Sequence, residues 1–241
     1  MSPSPSKAET FAALPPPWPD DLMPAIREHL AAHRMKVIAL DDDPTGTQTV
    51  HDIPVLTEWS AESLVAALQE DGPGFYILTN SRAFPTAEAC RINQEIGELL
   101  AAGAKKCGVD FRLISRSDST LRGHFPDEVD ALNGGVRPPV LLCPYFEAGN
   151  RYTIGDVHYV AEGDKLVPAG ETPFAKDASF GYRASNLREW IVEKSRGGIK
   201  PNQITSLSLE DNRTRGPEAR GGQLLLGDGE ACVGDGACER G

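Results

Sequence analysis

Val37-Ile38-Ala39-Leu40, running straight into Asp41-Asp42-Asp43-Pro44-Thr45-Gly46, is the stretch that decides the fold. Four apolar residues stopped by a Pro/Gly-containing polar turn predict a buried strand that empties into a loop. The texture recurs downstream. Pro54-Val55-Leu56 predicts a second strand, and Ser60 caps a helix with Leu64 and Leu68 on one face. Gly72-Pro73-Gly74 then leads into the strand Phe75–Leu78. Thr86 is placed to cap a helix lined by Ile92, Ile96, Leu99 and Leu100 that ends at Gly103. The strand Phe111–Ile114, a helical segment over Pro126–Leu132 and the strand Val140–Cys143 follow. Apolar strands alternating with helices predict an α/β fold, a mainly parallel sheet with helices on both faces.

Farther out the pattern changes. His158-Tyr159-Val160 and Lys165-Leu166-Val167 flank Gly163-Asp164 and predict a small antiparallel hairpin, and Ser185 caps a helix through Leu187, Trp190 and Ile191. Residues 1–35 read as a proline-rich extension and a leading helix with Leu22, Ile26 and Leu30 on one side. Residues 36–212 read as the ligand-binding domain. Residues 213–241, rich in glycine and charge around the apolar cluster Leu224–Leu226, are expected to be an incomplete, degenerate continuation.

Composition narrows the function classes. The 241 residues are 40% hydrophobic, enough for a core, with no apolar run near the roughly 18 residues of a membrane span. No signal or transit peptide is legible before Asp21, so a cytoplasmic address is expected. The five cysteines form no C-x-x-C pair, which argues against a disulfide framework or a zinc ribbon. A net charge of -11 and the lack of a basic stripe argue against nucleic acid, while converging arginines still allow a small anionic ligand.

In a parallel sheet ligands gather beyond the carboxyl ends of the strands, which is where the polar clusters fall. Asp41-Asp42-Asp43 puts three carboxylates at one strand end. Asp42 and Asp43 suit substrate hydroxyls or proton removal, and Thr45 and Gly46 let the backbone approach a ligand. The bland alternative, an aspartate-capped turn facing water, stays open. Asn80-Ser81-Arg82 follows another strand. Arg116-Ser117-Asp118-Ser119-Thr120-Leu121-Arg122-Gly123-His124 is the densest polar run. There Arg122 is placed to grip a carboxylate, Asp118 to orient or deprotonate a hydroxyl, and Ser119 and Thr120 to donate hydrogen bonds; a solvated loop capping the next helix is the alternative. His124 alone reads more readily as structural, and Asn80-Ser81-Arg82 and Gly149-Asn150-Arg151-Tyr152-Thr153 draw their weight from position rather than from residue type. His51, His124 and His158 lack metal-ligand spacing, so no metal site is expected, and a metal-dependent hydrolase or aldolase using Asp41–Asp43 is disfavoured. No P-loop, dinucleotide fingerprint or esterase elbow occurs.

Leu40–Val50, Thr79–Arg82 and Ser117–His124, together with Gly149–Val160, Pro168–Asp177 and Leu187–Trp190, resemble in order the four-carbon acid sugar kinases, which include 3-oxo-tetronate, erythronate and threonate kinases. The resemblance spans about Lys36 to Asp211. It implies a sugar-acid-binding N-terminal domain paired with an ATP-binding domain, and phosphoryl transfer from ATP with Mg2+ to a hydroxyl of a four-carbon acid. Carried onto this chain, the catalytic candidates are Asp118 and Asp43. The substrate-binding candidates are Asp42, Thr45, Ser81, Arg82, Ser117, Ser119, Thr120, Arg122, His124 and Arg151. No nucleotide-binding residue is assigned, so the chain alone is expected to bind a sugar acid without phosphorylating it. A non-catalytic sugar-acid-binding module is the rival reading, and a homodimer is left open.

Overall fold

β1 (Met35–Asp41) has the apolar run at its centre and is buried along its last four residues. It lies inside a four-stranded, all-parallel sheet with β2 (Val55–Leu56), β3 (Gly74–Leu78) and β4 (Asp110–Arg116), in the order β2-β3-β1-β4. Asp41 pairs in register with Leu78 and with Arg116, so three strands deliver their carboxyl-end loops at one level. In the computed structural model the described residues are 4–33, 35–46, 50–137, 139–214 and 231–234, the last as backbone.

Helices flank this sheet: α3 (Ala61–Gln69), α4 (Thr86–Cys107) and α5 (Asp127–Leu132). Ile38 and Leu40 pack with Leu64, Phe75, Ile77 and Ile96 in a core from which water is excluded. Each such side chain contributes roughly 2 kcal/mol. Ser60 caps α3 by accepting from the Ser63 amide, as its sequence position predicts.

The described residues divide into two compact units. The β1 unit takes Asp20–Ser117 and Gly123–Arg137; the β6 unit takes Asp118–Arg122 with the described residues before Asp20 and after Arg137. Where the sequence draws one body over 36–212, the fold distributes the same residues over two. The leading helix α2 (Met23–Ala32) belongs to the β1 unit and is preceded in the chain by α1 (Lys7–Ala12), a helix that the proline-rich composition hides.

The β6 unit holds two sheets. β6 (Arg151–Ile154), β7 (Val157–Glu162) and β8 (Lys165–Pro168) form an antiparallel meander. The expected hairpin therefore gains a third strand, whose Arg151-Tyr152-Thr153 start is too short and polar for a local pattern to mark. The other sheet is parallel, in the order β5-β10-β9, from β5 (Val140–Leu142), β9 (Ile204–Leu207) and β10 (Ala231–Gly234). β5 thus leaves the sheet of β1. β10, inside the segment read as degenerate, is the middle strand, while Leu224–Leu226 lie outside the described residues. Two helices complete the unit, α6 (Leu187–Lys194) and α7 (Leu209–Thr214).

Three cap assignments change. α4 is capped at Pro85 with Thr86 already helical, and it runs past Gly103 to a left-handed Gly108 at φ 63°. Gly103 is a packing position, where a Cβ would sit 3.1 Å from Leu68, rather than a stop. α6 is capped by Asn186, whose Oδ1 accepts from the Arg188 and Glu189 amides, while Ser185 Oγ accepts from the Gly170 amide. Among the described residues no helix is long and apolar enough to cross a membrane.

Candidate functional site

In the β1 unit, parallel pairing brings the ends of β1, β3 and β4 to one level and crowds carboxylates against arginines there. Asp41 is fully buried; its Oδ1 accepts from Arg116 Nη1 at 3.3 Å, and its Oδ2 has no partner among the described residues. Burial pushes this carboxyl above its ordinary range, against the pull of Arg116. Gly46 folds over it so closely that a Cβ would lie 1.9 Å from Oδ2, so any side chain there displaces the carboxylate.

Asp42, 2% exposed, is gripped by the planar fork of Arg82. Nε donates to Oδ2 at 3.0 Å, Nη2 donates to Oδ1, and Ser117 Oγ donates to Oδ2 at 2.7 Å. The same guanidinium reaches Asp43 Oδ2 at 3.3 Å. Asp43 also accepts at Oδ1 from the Thr45 amide at 2.8 Å and the Thr45 hydroxyl at 2.5 Å, an Asx turn that sets the loop after β1. Ser81 is fully buried and donates to Glu128 Oε1 at 2.8 Å, where Asn93 Nδ2 also donates at 3.0 Å. Burial raises the Glu128 carboxyl, opposed by the Ser81 hydrogen bond. His124 Nδ1 lies 3.1 Å from Thr86 Oγ1 on the first turn of α4. Of the candidates, Asp42, Asp43, Thr45, Ser81, Arg82, Ser117 and His124 therefore belong to this unit.

The remaining candidates, Asp118, Ser119, Thr120, Arg122 and Arg151, belong to the β6 unit, so the dense run of the sequence is divided between the two. Asp118 Oδ2 accepts from Arg122 Nε at 2.7 Å and from the Thr120 hydroxyl, and the Leu121 amide closes the turn onto the Asp118 carbonyl at 2.9 Å. Arg122 and Arg151 both lie on the Phe174 ring, with guanidinium carbons 5.2 and 5.3 Å from its centroid. Asp177 stands 3.8 Å from Arg122 Nη1. Arg151 donates to the Gly149 carbonyl from Nη1, yet its buried Nε has no acceptor among the described residues. Burial lowers its pKa, and Arg122 lowers it further against the pull of Asp118. Two guanidiniums stacked on one ring, one with an unmet donor, suit a planar anion such as a carboxylate.

Sequence reasoning missed Glu128, Asn93, Phe174, Asp177, His158 and Tyr182. Asn93 carried a signal, being polar on the buried stripe of α4. Phe174 and Asp177 lie in the Pro168–Asp177 run, which had no role assigned. Among the described residues no three His, Cys, Asp or Glu stand together to hold a metal ion. Asp42 and Asp43, held by Arg82, do not fit a magnesium ion either.

The chain matches the sugar-binding N-terminal domain family over residues 37–240. It is 36% identical over 104 residues to a D-threonate kinase of Bordetella bronchiseptica, covering 42% of this chain and 23% of that protein. A Bordetella bronchiseptica structure of a domain of unknown function, DUF1537, a domain-swapped dimer with bound citrate, superposes with a TM-score of 0.61 at 24% identity. That match covers 83% of this chain and 48% of the other. A Haemophilus influenzae structure of the same family gives 0.56 at 18% identity, over 83% and 48%. The chain thus spans about half of these solved relatives and under a quarter of the D-threonate kinase. With its sheet architecture shared and the family match running nearly its whole length, this chain belongs to the sugar-binding N-terminal domain family, that of the four-carbon acid sugar kinases.

Proposed function

We propose that the chain is the sugar-acid-binding portion of an ATP-dependent kinase that phosphorylates a hydroxyl of a four-carbon acid, a tetronate or 3-oxo-tetronate. The observation that carries this reading is the pair Arg122 and Arg151 on Phe174, with the unmet Nε donor of Arg151. In this reading the guanidiniums take the acid's carboxylate, Ser119 donates to its hydroxyls, and Asp118, oriented by the buried Thr120 hydroxyl, receives the proton of the attacking one. Within the β1 unit by itself, Asp43, with 28% side-chain exposure against 3% for Asp42, is the more exposed of the two carboxylates. Asp42, Ser81 and Glu128 form the scaffold behind it. The D-threonate kinase relative supports the substrate class, and the citrate held by the Bordetella structure supports carboxylate recognition in the family. The domain-swapped dimer of that relative supports a homodimer, and the cytoplasm is the proposed location. ATP and Mg2+ are the co-reactants this reading implies, and none of the residues named above is assigned to them.

Calorimetry on the purified 241-residue chain tests this. D-threonate is expected to bind, and Arg122→Met and Arg151→Met are each expected to weaken it by roughly tenfold or more, the loss of a charged hydrogen bond. No heat with any four-carbon acid, or unchanged binding in both variants, would refute the site. ATP-dependent turnover by this chain alone would refute its assignment as the binding portion, whereas binding without turnover in a chain joined to an ATP domain would favour the non-catalytic module.

A further inference from the structure

The Asp118–Arg122 loop turns through Leu121 at φ 68°, a left-handed conformation that a leucine adopts only when its surroundings impose it. Leu121 is 4% exposed, and the carbonyls just before it are both taken by buried side chains of the same unit. His158, fully buried on β7, places Nε2 2.8 Å from the Ser119 carbonyl and Nδ1 2.9 Å from the Thr153 hydroxyl on β6. A carbonyl only accepts, so Nε2 carries the hydrogen, and Nδ1 of the neutral ring accepts from Thr153. Burial drives the ring's pKa down to about 4; the Ser119 carbonyl opposes this, Arg151 reinforces it, and Asp118 opposes it. The Tyr182 hydroxyl donates to the Thr120 carbonyl at 2.7 Å, and burial first, then Asp118, push its pKa up, so it stays a donor.

We propose that His158 and Tyr182 are positioning residues that hold the Asp118–Arg122 loop in its ligand-binding shape by fixing two consecutive carbonyls. Two adjacent peptide planes are thereby set, and with them the directions in which Asp118 and Arg122 leave the loop. The inference rests on the reading of that loop as acid-binding, but the pinning itself is measurable without a ligand.

The test uses the full 241-residue chain. Imidazole 15N spectra are expected to show His158 with a protonated Nε2 and a bare Nδ1, unchanged from pH 8 to pH 5. His158→Leu is expected to weaken D-threonate binding roughly tenfold, and His158→Gln, which can restore a donor to Ser119, to recover most of it. Tyr182→Phe, which removes one hydroxyl and keeps the ring, is expected to speed hydrogen exchange at the Ser119–Arg122 amides while leaving β1 and β3 amides unchanged. An Nδ1-protonated or charged ring at pH 7, binding by His158→Leu equal to that of the parent, or unaltered exchange in Tyr182→Phe would each overturn the proposal. If the parent chain binds no sugar acid, the functional reading falls, and the spectra and exchange still decide the pinning. If His158→Leu does not fold, Tyr182→Phe and the spectra carry the decision.

Discussion

Arg82 satisfies two neighbouring carboxylates with one guanidinium, one of them almost wholly out of water. A buried charge that loses its partner keeps its desolvation penalty, so Arg82→Met is expected to destabilise the β1 unit by about 3 kcal/mol. Arg91 is the internal control, because it pairs with Glu88 and Glu95 on an exposed face of α4 with its own side chain 60% exposed. Arg91→Met is expected to shift stability far less, because solvent screens an exposed pair. Urea midpoints of the two variants separate the cases, and equal shifts would mean that the Arg82 fork contributes no more than a surface pair. At this scale the sequence marks which residue types matter and not which way they face. Ser81 stands in a motif with Arg82, yet its hydroxyl is turned inward to Glu128, a residue 47 positions away. A polar residue in a loop motif carries no mark of orientation. Burial decides that, and burial is a property of the assembled unit.

α4 shows the same division one level up. Its apolar spacing makes it legible as a helix, but the role of its glycines is not. Gly97, in mid-helix, would place a Cβ 2.1 Å from the Leu132 carbonyl at the end of α5. In an exposed helix Gly→Ala would stabilise by up to about 1 kcal/mol. Here the obstacle is backbone rather than a flexible side chain, so overpacking outweighs propensity. Gly97→Ala is expected to destabilise by about 2 kcal/mol, visible as a lower Tm. A rise in Tm would show that α5 yields. α1 was illegible for a related reason. Ser6 and the Ala8 amide bond the Asp164 carboxylate in the hairpin turn, the Lys7 amide bonds the Asp164 carbonyl, and Phe11 packs edge-on against Tyr152 at 5.1 Å. A six-residue helix is too short to be stable alone. Its reason to exist lies some 150 residues downstream, between Tyr152 and Asp164.

The two units are expected to respond to pH in opposite senses. In the β1 unit Glu128 and Asp41 are raised by burial, so across the window above the ordinary carboxylate range the folded state binds protons more tightly than the unfolded state. Their contribution therefore falls as pH rises through that window. In the β6 unit His158 drops from 6.5 to about 4, so in that interval the unfolded state binds protons more tightly, and stability falls as pH falls, by about 3 kcal/mol across it. Asp177, pulled down by the Phe180 and Ser179 amides, adds to the loss at the acid end. Hydrogen exchange, corrected for intrinsic rates, is expected to show β6 and β7 losing protection between pH 7 and pH 4.5 while β1 and β3 gain it. Loss or gain in both units together would refute the assignment of these buried groups.

The amino-acid order by itself determined the α/β class, most strand and helix positions and the residue types that crowd the strand ends, because periodicity, capping and turn chemistry are local. Only the tertiary structure decided that β5 leaves the sheet of β1, that a late glycine-rich segment supplies the central strand β10, and that the run Ser117–His124 is divided between two units. Strand partners, and the carbonyls that His158 and Tyr182 hold, are set by contacts between residues tens of positions apart, and no local pattern encodes which of several suitable partners closes the distance.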